Sequence, residues 1–262
     1  MGQVYLIPDS MGVEQSVSLL REYGGAFEYN DFWRAEVLED RQKQEKIIEH
    51  YAKFRTDFSQ DTMHGAFLDV TVHSEDSLIR EISRRRICQS MDIAKRMGLR
   101  GVVFHTGLLG GFRVKYYLEH WKKENAAFFA EMAERYPDQE IFMENMFDGV
   151  PDELAWLGER LREVGNFGVC LDYAHGMVTD CEPESWVQRL APYIRHIHIN
   201  DNDLRNDLHQ PVGEGKIDWF KFEQLMQQYD IASTVLVEVK GYEAQKKSLE
   251  YLKKHHIFPL NQ

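Results

Sequence analysis

Between His196 and Gly215 the chain reads HIHINDNDLRNDLHQPVGEG, which crowds together the metal-capable His196, His198, Asp201, Asp203, Asp207 and His209. Asp207 and His209 form a D-x-H pair, and alternate side chains of an extended segment share a face and can reach one point. Three carboxylates elsewhere raise a sharper problem. Glu144 lies in EIFMEN, Asp172 in FGVCLDY and Glu238 in TVLVEV, all apolar runs that read as buried strands. An unpaired charge in such a place costs several kcal/mol. Three separate salt bridges would be the simplest remedy, but these segments bring few cations, and Lys240 is the only one nearby. A shared divalent cation neutralises all three at once.

Histidines complete the set. His64 sits in MHGAFLDV, His105 ends GVVFHT, and His175 follows Asp172 by three residues in DYAH. A lone strand histidine is more often a hydrogen-bonded residue than a ligand, so it is their convergence that matters. Imidazole and carboxylate without thiolate suit Zn²⁺, Mn²⁺ or Fe²⁺ better than Ca²⁺.

Convergence requires a scaffold. Strand-like runs occur at 4–8, 26–30, 63–70, 101–106, 140–145, 167–173, 194–200 and 234–239, separated by segments of helical spacing. The clearest is EDSLIREISRRRICQSMDIAKRMG, with Leu78, Ile82, Ile87, Met91, Ala94 and Met97 near a 3.6 period and Gly98 as its stop. Pro151 suits the first turn of a later helix. Eight strands alternating with helices predict an α/β fold, a single (β/α)8 barrel over residues 1–262, whose C-terminal strand ends meet at one mouth. A doubly wound open sheet would call for a Gly-rich loop after the first strand, and IPDSMG is not one.

Composition agrees with one globular domain: 43% hydrophobic and 28% charged residues, without a linker or a low-complexity segment. The formal net charge of −12 disfavours non-specific attraction to nucleic acid or anionic membrane. No apolar run is long enough to span a bilayer, and MGQVYLIPDS has no signal-peptide features. Myristoylation at Gly2 is not expected, because no Ser or Thr follows at the sixth position. Three widely spaced cysteines, Cys88, Cys170 and Cys181, fit thiols of a reducing compartment and a cytoplasmic protein.

The phrases HTG (105–107), EN (144–145), GVCLDYAHG (168–176), HIHINDND (196–203), DLH (207–209), GEG (213–215) and VEVKG (237–241) resemble the xylose isomerase-like TIM-barrel superfamily. It includes sugar and sugar-phosphate isomerases and epimerases as well as endonuclease IV-like enzymes. The single-metal isomerase pattern implies Glu144, Asp172, His198 and Glu238 as ligands. Glu144 and Glu238 would also move a proton beside a carbonyl, through a metal-stabilised enediolate. The endonuclease IV pattern implies nine ligands for three zinc ions: His64, His105, Glu144, Asp172, His175, His198, Asp207, His209 and Glu238. There Glu144 bridges, and the reaction is phosphodiester hydrolysis.

Departures weigh against DNA repair. The loop NDNDLRN (200–206) is short, with Arg205 its only base, where the nuclease family has a longer and more basic segment. Phe67 stands where that family often has a tyrosine, and Glu28 and Asp31 would repel a phosphate backbone. Among the sugar enzymes an acidic residue ending the second strand is common. Glu28, His175 and Arg205 are therefore the expected substrate contacts, and a solvated loop carboxylate is the equal alternative for Glu28. GLLGGFRVKYY (107–117) is either a phosphate-binding lid carrying Arg113 and Lys115 or a plain loop. Phe32, Trp33, Phe112 and Trp219 are candidate walls for a sugar ring, though most aromatics belong to the core.

The leading expectation is thus a metal-dependent sugar or sugar-phosphate isomerase or epimerase holding one to three divalent ions. An endonuclease IV-like phosphodiesterase is the alternative and a non-catalytic binding barrel a third. A homodimer is suggested by the resemblance alone.

Overall fold

Eight short parallel strands form in the computed structural model, which describes residues 3–261. They are β1 (Val4–Leu6), β2 (Gly25–Tyr29), β3 (Thr62–His64), β4 (Gly101–His105), β5 (Glu140–Glu144), β6 (Phe167–Asp172), β7 (Ile194–Ile199) and β8 (Thr234–Val237). Each pairs with its neighbours in sequence, and β8 closes on β1, so the sheet is a barrel with helices outside. The (β/α)8 expectation holds. Met1 and Gly2, where the acylation expectation falls, and Gln262 lie outside the described residues. No described helix is long and apolar enough to cross a membrane.

The period of two along each strand decides which side chains enter the barrel. Val102 and Phe104 pack outward into the main core, while Val103 meets Phe142 and Cys170 inside. Two residues further on, the same parity carries His105, Glu144 and Asp172 to the upper interior. Leu236 and Ala26 share a second interior cluster with Tyr5 and Ile7, which gives Glu238 and Glu28 the same parity. The floor is polar: Arg100 Nε meets Glu140 Oε1 at 2.8 Å, and its guanidinium lies over the Phe142 ring.

Two expectations need correction. The third strand does not run to residue 70. It ends at His64 because Gly65 must pass so close to the Phe104 ring that a Cβ there would clash, and the chain turns over the mouth instead. The helix Ser77–Met97 forms with Asp76 capping Leu78 N and Ile79 N, and Gly98 ends it at φ 68°. Ile87, Met91, Ala94 and Met97 are buried, yet Leu78 and Ile82 are 74% and 39% exposed. Twenty-one helical residues span about 31 Å, whereas a five-residue strand spans about 17 Å, so the first turns overshoot the sheet.

Candidate metal centre

The C-terminal strand ends and the segments that follow β6 and β7 bring together all nine residues that the sequence singles out as ligands. They fall into three clusters, within each of which the ligand atoms lie within 4.8 Å of one another. Glu144, Asp172, His198 and Glu238 form the deepest. His64 and His105 converge on Glu144 from one side, and His175, Asp207 and His209 form a third group nearer solvent.

The deepest cluster fits a cation on a direct observation. Asp172 Oδ2, His198 Nδ1 and Glu238 Oε2 are each buried without a hydrogen-bond partner, and so is Glu144 Oε2 on the side of His64 and His105. Three orphaned polar atoms at one point would be costly in a finished fold, and a divalent ion satisfies them together. Electrostatics agree. Burial pushes Asp172 up to about 7, with Glu238 and Glu144 adding to the rise and His175 opposing it. Glu144 overcomes the same burial and is held well below the usual carboxylate range by His198 and His105.

Glu144 faces two ways. Its Oε2 is 3.4 Å from both His64 Nε2 and His105 Nε2, while Oε1 is 3.4 Å from His198 Nδ1 and 3.5 Å from His175 Nδ1. It is therefore the member shared between clusters.

Backbone carbonyls aim the histidines. With its Nδ1–H donating, His175 bonds the Asn145 carbonyl at 2.9 Å, His209 the Glu238 carbonyl at 2.9 Å and His64 the Gly65 carbonyl at 3.1 Å. That tautomer leaves each Nε2 lone pair facing its cluster, as a ligand requires. His64 Nε2 stands 3.1 Å from His105 Nε2, and Asp207 Oδ2 lies 3.0 Å from His209 Nε2 and 3.4 Å from His175 Nε2. Burial lowers His105 against the pull of Glu144, which favours the neutral, ligating form. Asn145 holds the wall itself: its side chain bonds both the carbonyl and the N–H of Asp172.

Glu28 is where the site departs most from expectation. It does not face the mouth: it is 1% exposed, Oε2 accepts from the Thr62 hydroxyl at 2.7 Å, and Oε1 lies 3.1 Å from His198 Nε2. Burial opposes ionisation, but His198 and His196 hold its carboxyl well below the usual range. Glu28, met in turn by His196 Nε2 at 3.2 Å, lies against the Nε2 edge of His198, opposite the Nδ1 that faces the cluster, a placement suited to positioning that ring. Glu28→Gln is expected to weaken metal binding by roughly 10–100-fold with the fold intact, measured by competition with a chromophoric chelator. Unchanged affinity would remove that role.

Other expected contacts also settle differently. Arg205 is exposed on the loop after β7 and is not brought to any cluster; its backbone N–H bonds Asp203. Arg113 is engaged twice by Glu153, so the segment 107–117 presents no free arginine. Phe32 and Trp219 are core residues, and Phe112 is exposed with its ring against Tyr117. Trp33 does approach the mouth: its ring packs on Phe67, whose ring lies 4.9 Å from His64 and 5.0 Å from His105.

Asp201 has a role that ligand chemistry alone did not reveal. Its buried carboxylate accepts from Gly213 N, Ile217 N and Trp219 Nε1, which pins the loop delivering Asp207 and His209. The signal was the GEG phrase: a Cβ at Gly215 would strike the Asp201 side chain.

These features can be set beside known proteins. The uncharacterized protein MJ1311 of Methanocaldococcus jannaschii is 25% identical over 222 residues, covering 80% of this chain and 75% of that protein. A probable endonuclease 4 of Protochlamydia amoebophila is 37% identical over 90 residues, but the match spans only 32% of its length. The crystal structure of a D-tagatose 3-epimerase-like protein superposes with a TM-score of 0.74 at 20% identity, covering 97% of this chain and 96% of that one. The family model described as xylose isomerase-like TIM barrel matches residues 17–255. With the closed parallel barrel, that match places the chain in the xylose isomerase-like TIM barrel family.

Proposed function

We propose that the protein is a multinuclear metalloenzyme that hydrolyses a phosphoester of a small, sugar-like molecule. One observation carries this reading ahead of the isomerase favoured by the sequence: the two oxygens of Glu144 serve two different clusters. With an ion held on each side, neither oxygen of Glu144 would remain to carry a proton to and from carbon, which an isomerase would ask of it. A carboxylate shared by two candidate ligand groups would suit a centre of two or more ions.

His64, His105 and Glu144 would hold one ion; Glu144, Asp172, His198 and Glu238 a second; His175, Asp207 and His209 a third. When bound, such ions supply Lewis acidity toward a phosphoryl oxygen and acidify a water. The chain's own residues supply the rest. Glu238 lies at the boundary between the deepest cluster and an adjoining cavity, where its carboxylate can accept a proton from an attacking water. Phe67 and Leu208 give that cavity an apolar wall that limits bulk water. Asn145 and Glu28 keep Asp172 and His198 in register while charge changes above them.

A second reading, sugar isomerisation or epimerisation on one ion, is favoured by the self-contained Glu144–Asp172–His198–Glu238 group and by epimerases with the same fold. Metal quantification on untagged protein separates the two. Two or three equivalents, with release of phosphate or alcohol from a phosphoester panel, support hydrolysis. One equivalent, with metal-dependent deuterium exchange beside a ketose carbonyl in D₂O, would replace it with the isomerase.

A further inference from the structure

Two cavities open beside the ligands. The inner one, about 410 Å³, is lined by Asn30, Phe67, Leu208, His209, Glu238 and Lys240. The outer one, about 440 Å³, has Asp9, Ser10, Asn30, Asp31 and Lys240 among its walls. Asn30 and Lys240 line both, so the two form one cleft leading from Glu238 to the rim after β1 and β2.

Polar groups at the junction are uncommitted. Asn30 Oδ1 is buried without a hydrogen-bond partner. Lys240 is exposed, and Glu238, two residues back, is met by His198 and His209 instead. Beyond the junction the charge reverses. Asp31 is held by the Tyr51 hydroxyl at 2.8 Å, and with Asp9 it gives the outer cavity two carboxylates. Carboxylates accept hydrogen bonds from neutral hydroxyls and repel anions, so the cleft can take a negative group at Lys240 but not a second one further out.

We propose that this cleft is a substrate subsite for a small polyhydroxylated molecule with a single anionic group beyond the reacting centre. Lys240 takes the anion, and Asn30 and Asp31 take hydroxyls. The inference rests on the metal centre being the reacting end, and it deepens the proposed function by setting the substrate's size and charge pattern. An extended polyanion such as a nucleic-acid strand is excluded from the outer cavity by Asp9 and Asp31.

Calorimetric titration of metal-replete protein tests it, with ribose 5-phosphate and gluconate as the phosphate and carboxylate probes, ribose as the neutral one and a DNA trinucleotide as the polyanion. Lys240→Met is expected to weaken binding of an anionic sugar roughly tenfold or more while leaving ribose and metal content unchanged. Whichever anionic probe loses affinity identifies the group Lys240 takes. Asp31→Asn should weaken ribose and strengthen the trinucleotide. Equal affinity of wild type and Lys240→Met for both anionic sugars would overturn the proposal. Hydrolysis, scored separately, keeps the readings distinct: an inactive protein that still loses anion binding on Lys240→Met leaves this subsite standing and removes the hydrolase.

Discussion

Glu144→Gln is expected to empty two of the three clusters at once and to lower activity by roughly a thousandfold. The carboxylate presents one oxygen to His64 and His105 and the other to His198 and His175, all at 3.4–3.5 Å. An amide of the same shape has a single acceptor oxygen; its NH₂ would face the other cluster as a donor where a ligand is needed. The barrel itself should not suffer, because the substitution removes one of several buried carboxylates crowded at the same point. Elemental analysis should show a loss of about two equivalents against wild type, with an unchanged far-ultraviolet circular dichroism spectrum. Retention of the full metal complement would show that Glu144 is not shared.

Metal removal should invert the pH dependence of stability. In the metal-free protein Asp172 is raised to about 7 by burial, with Glu238 and Glu144 adding to it. A raised carboxyl contributes stability that is complete below its ordinary pKa and is lost as the pH climbs through the folded value. Chelated protein should therefore melt lower at pH 8 than at pH 6, by about 1 kcal/mol or roughly 3 °C for a domain of this size. Loaded protein should show the reverse slope, since protons and metal compete for the same ligands. Stripping the metal is itself expected to cost about 4 kcal/mol at thousandfold saturation, a Tm drop on the order of 10 °C. Parallel pH slopes with and without chelator would argue against a cation held by Asp172.

Much of the scaffold was readable because it depends on local chemistry. Alternation within short apolar runs located all eight strands, and the burial cost of a carboxylate marked Glu144, Asp172 and Glu238 before any geometry was known. Errors gathered where non-local contact decides. Leu78 and Ile82 follow a sound helical period, but whether a turn has a strand beneath it depends on how far the helix outruns the sheet. Arg113 looked like a free cation beside the mouth until the fold supplied Glu153 as its partner. Arg205 lies in the loop that carries Asp207 and His209, yet that loop holds it outward.

By itself, then, the sequence determined the barrel and singled out the candidate ligands, since residue type and a period of two are carried by neighbouring positions. Only the tertiary structure decided their division of labour. Glu28 and Glu144 are both interior carboxylates on barrel strands, and nothing local separates a ligand from its support. Closure of β8 on β1 brings Glu28 of β2 against His198 of β7 inside the barrel, while β4 and β6 flank Glu144 on either side. Those distances arise from pairings as long-range as Val4 with Val235, and they join groups as distant in sequence as Glu28 and His198. They exist only once the ring is closed.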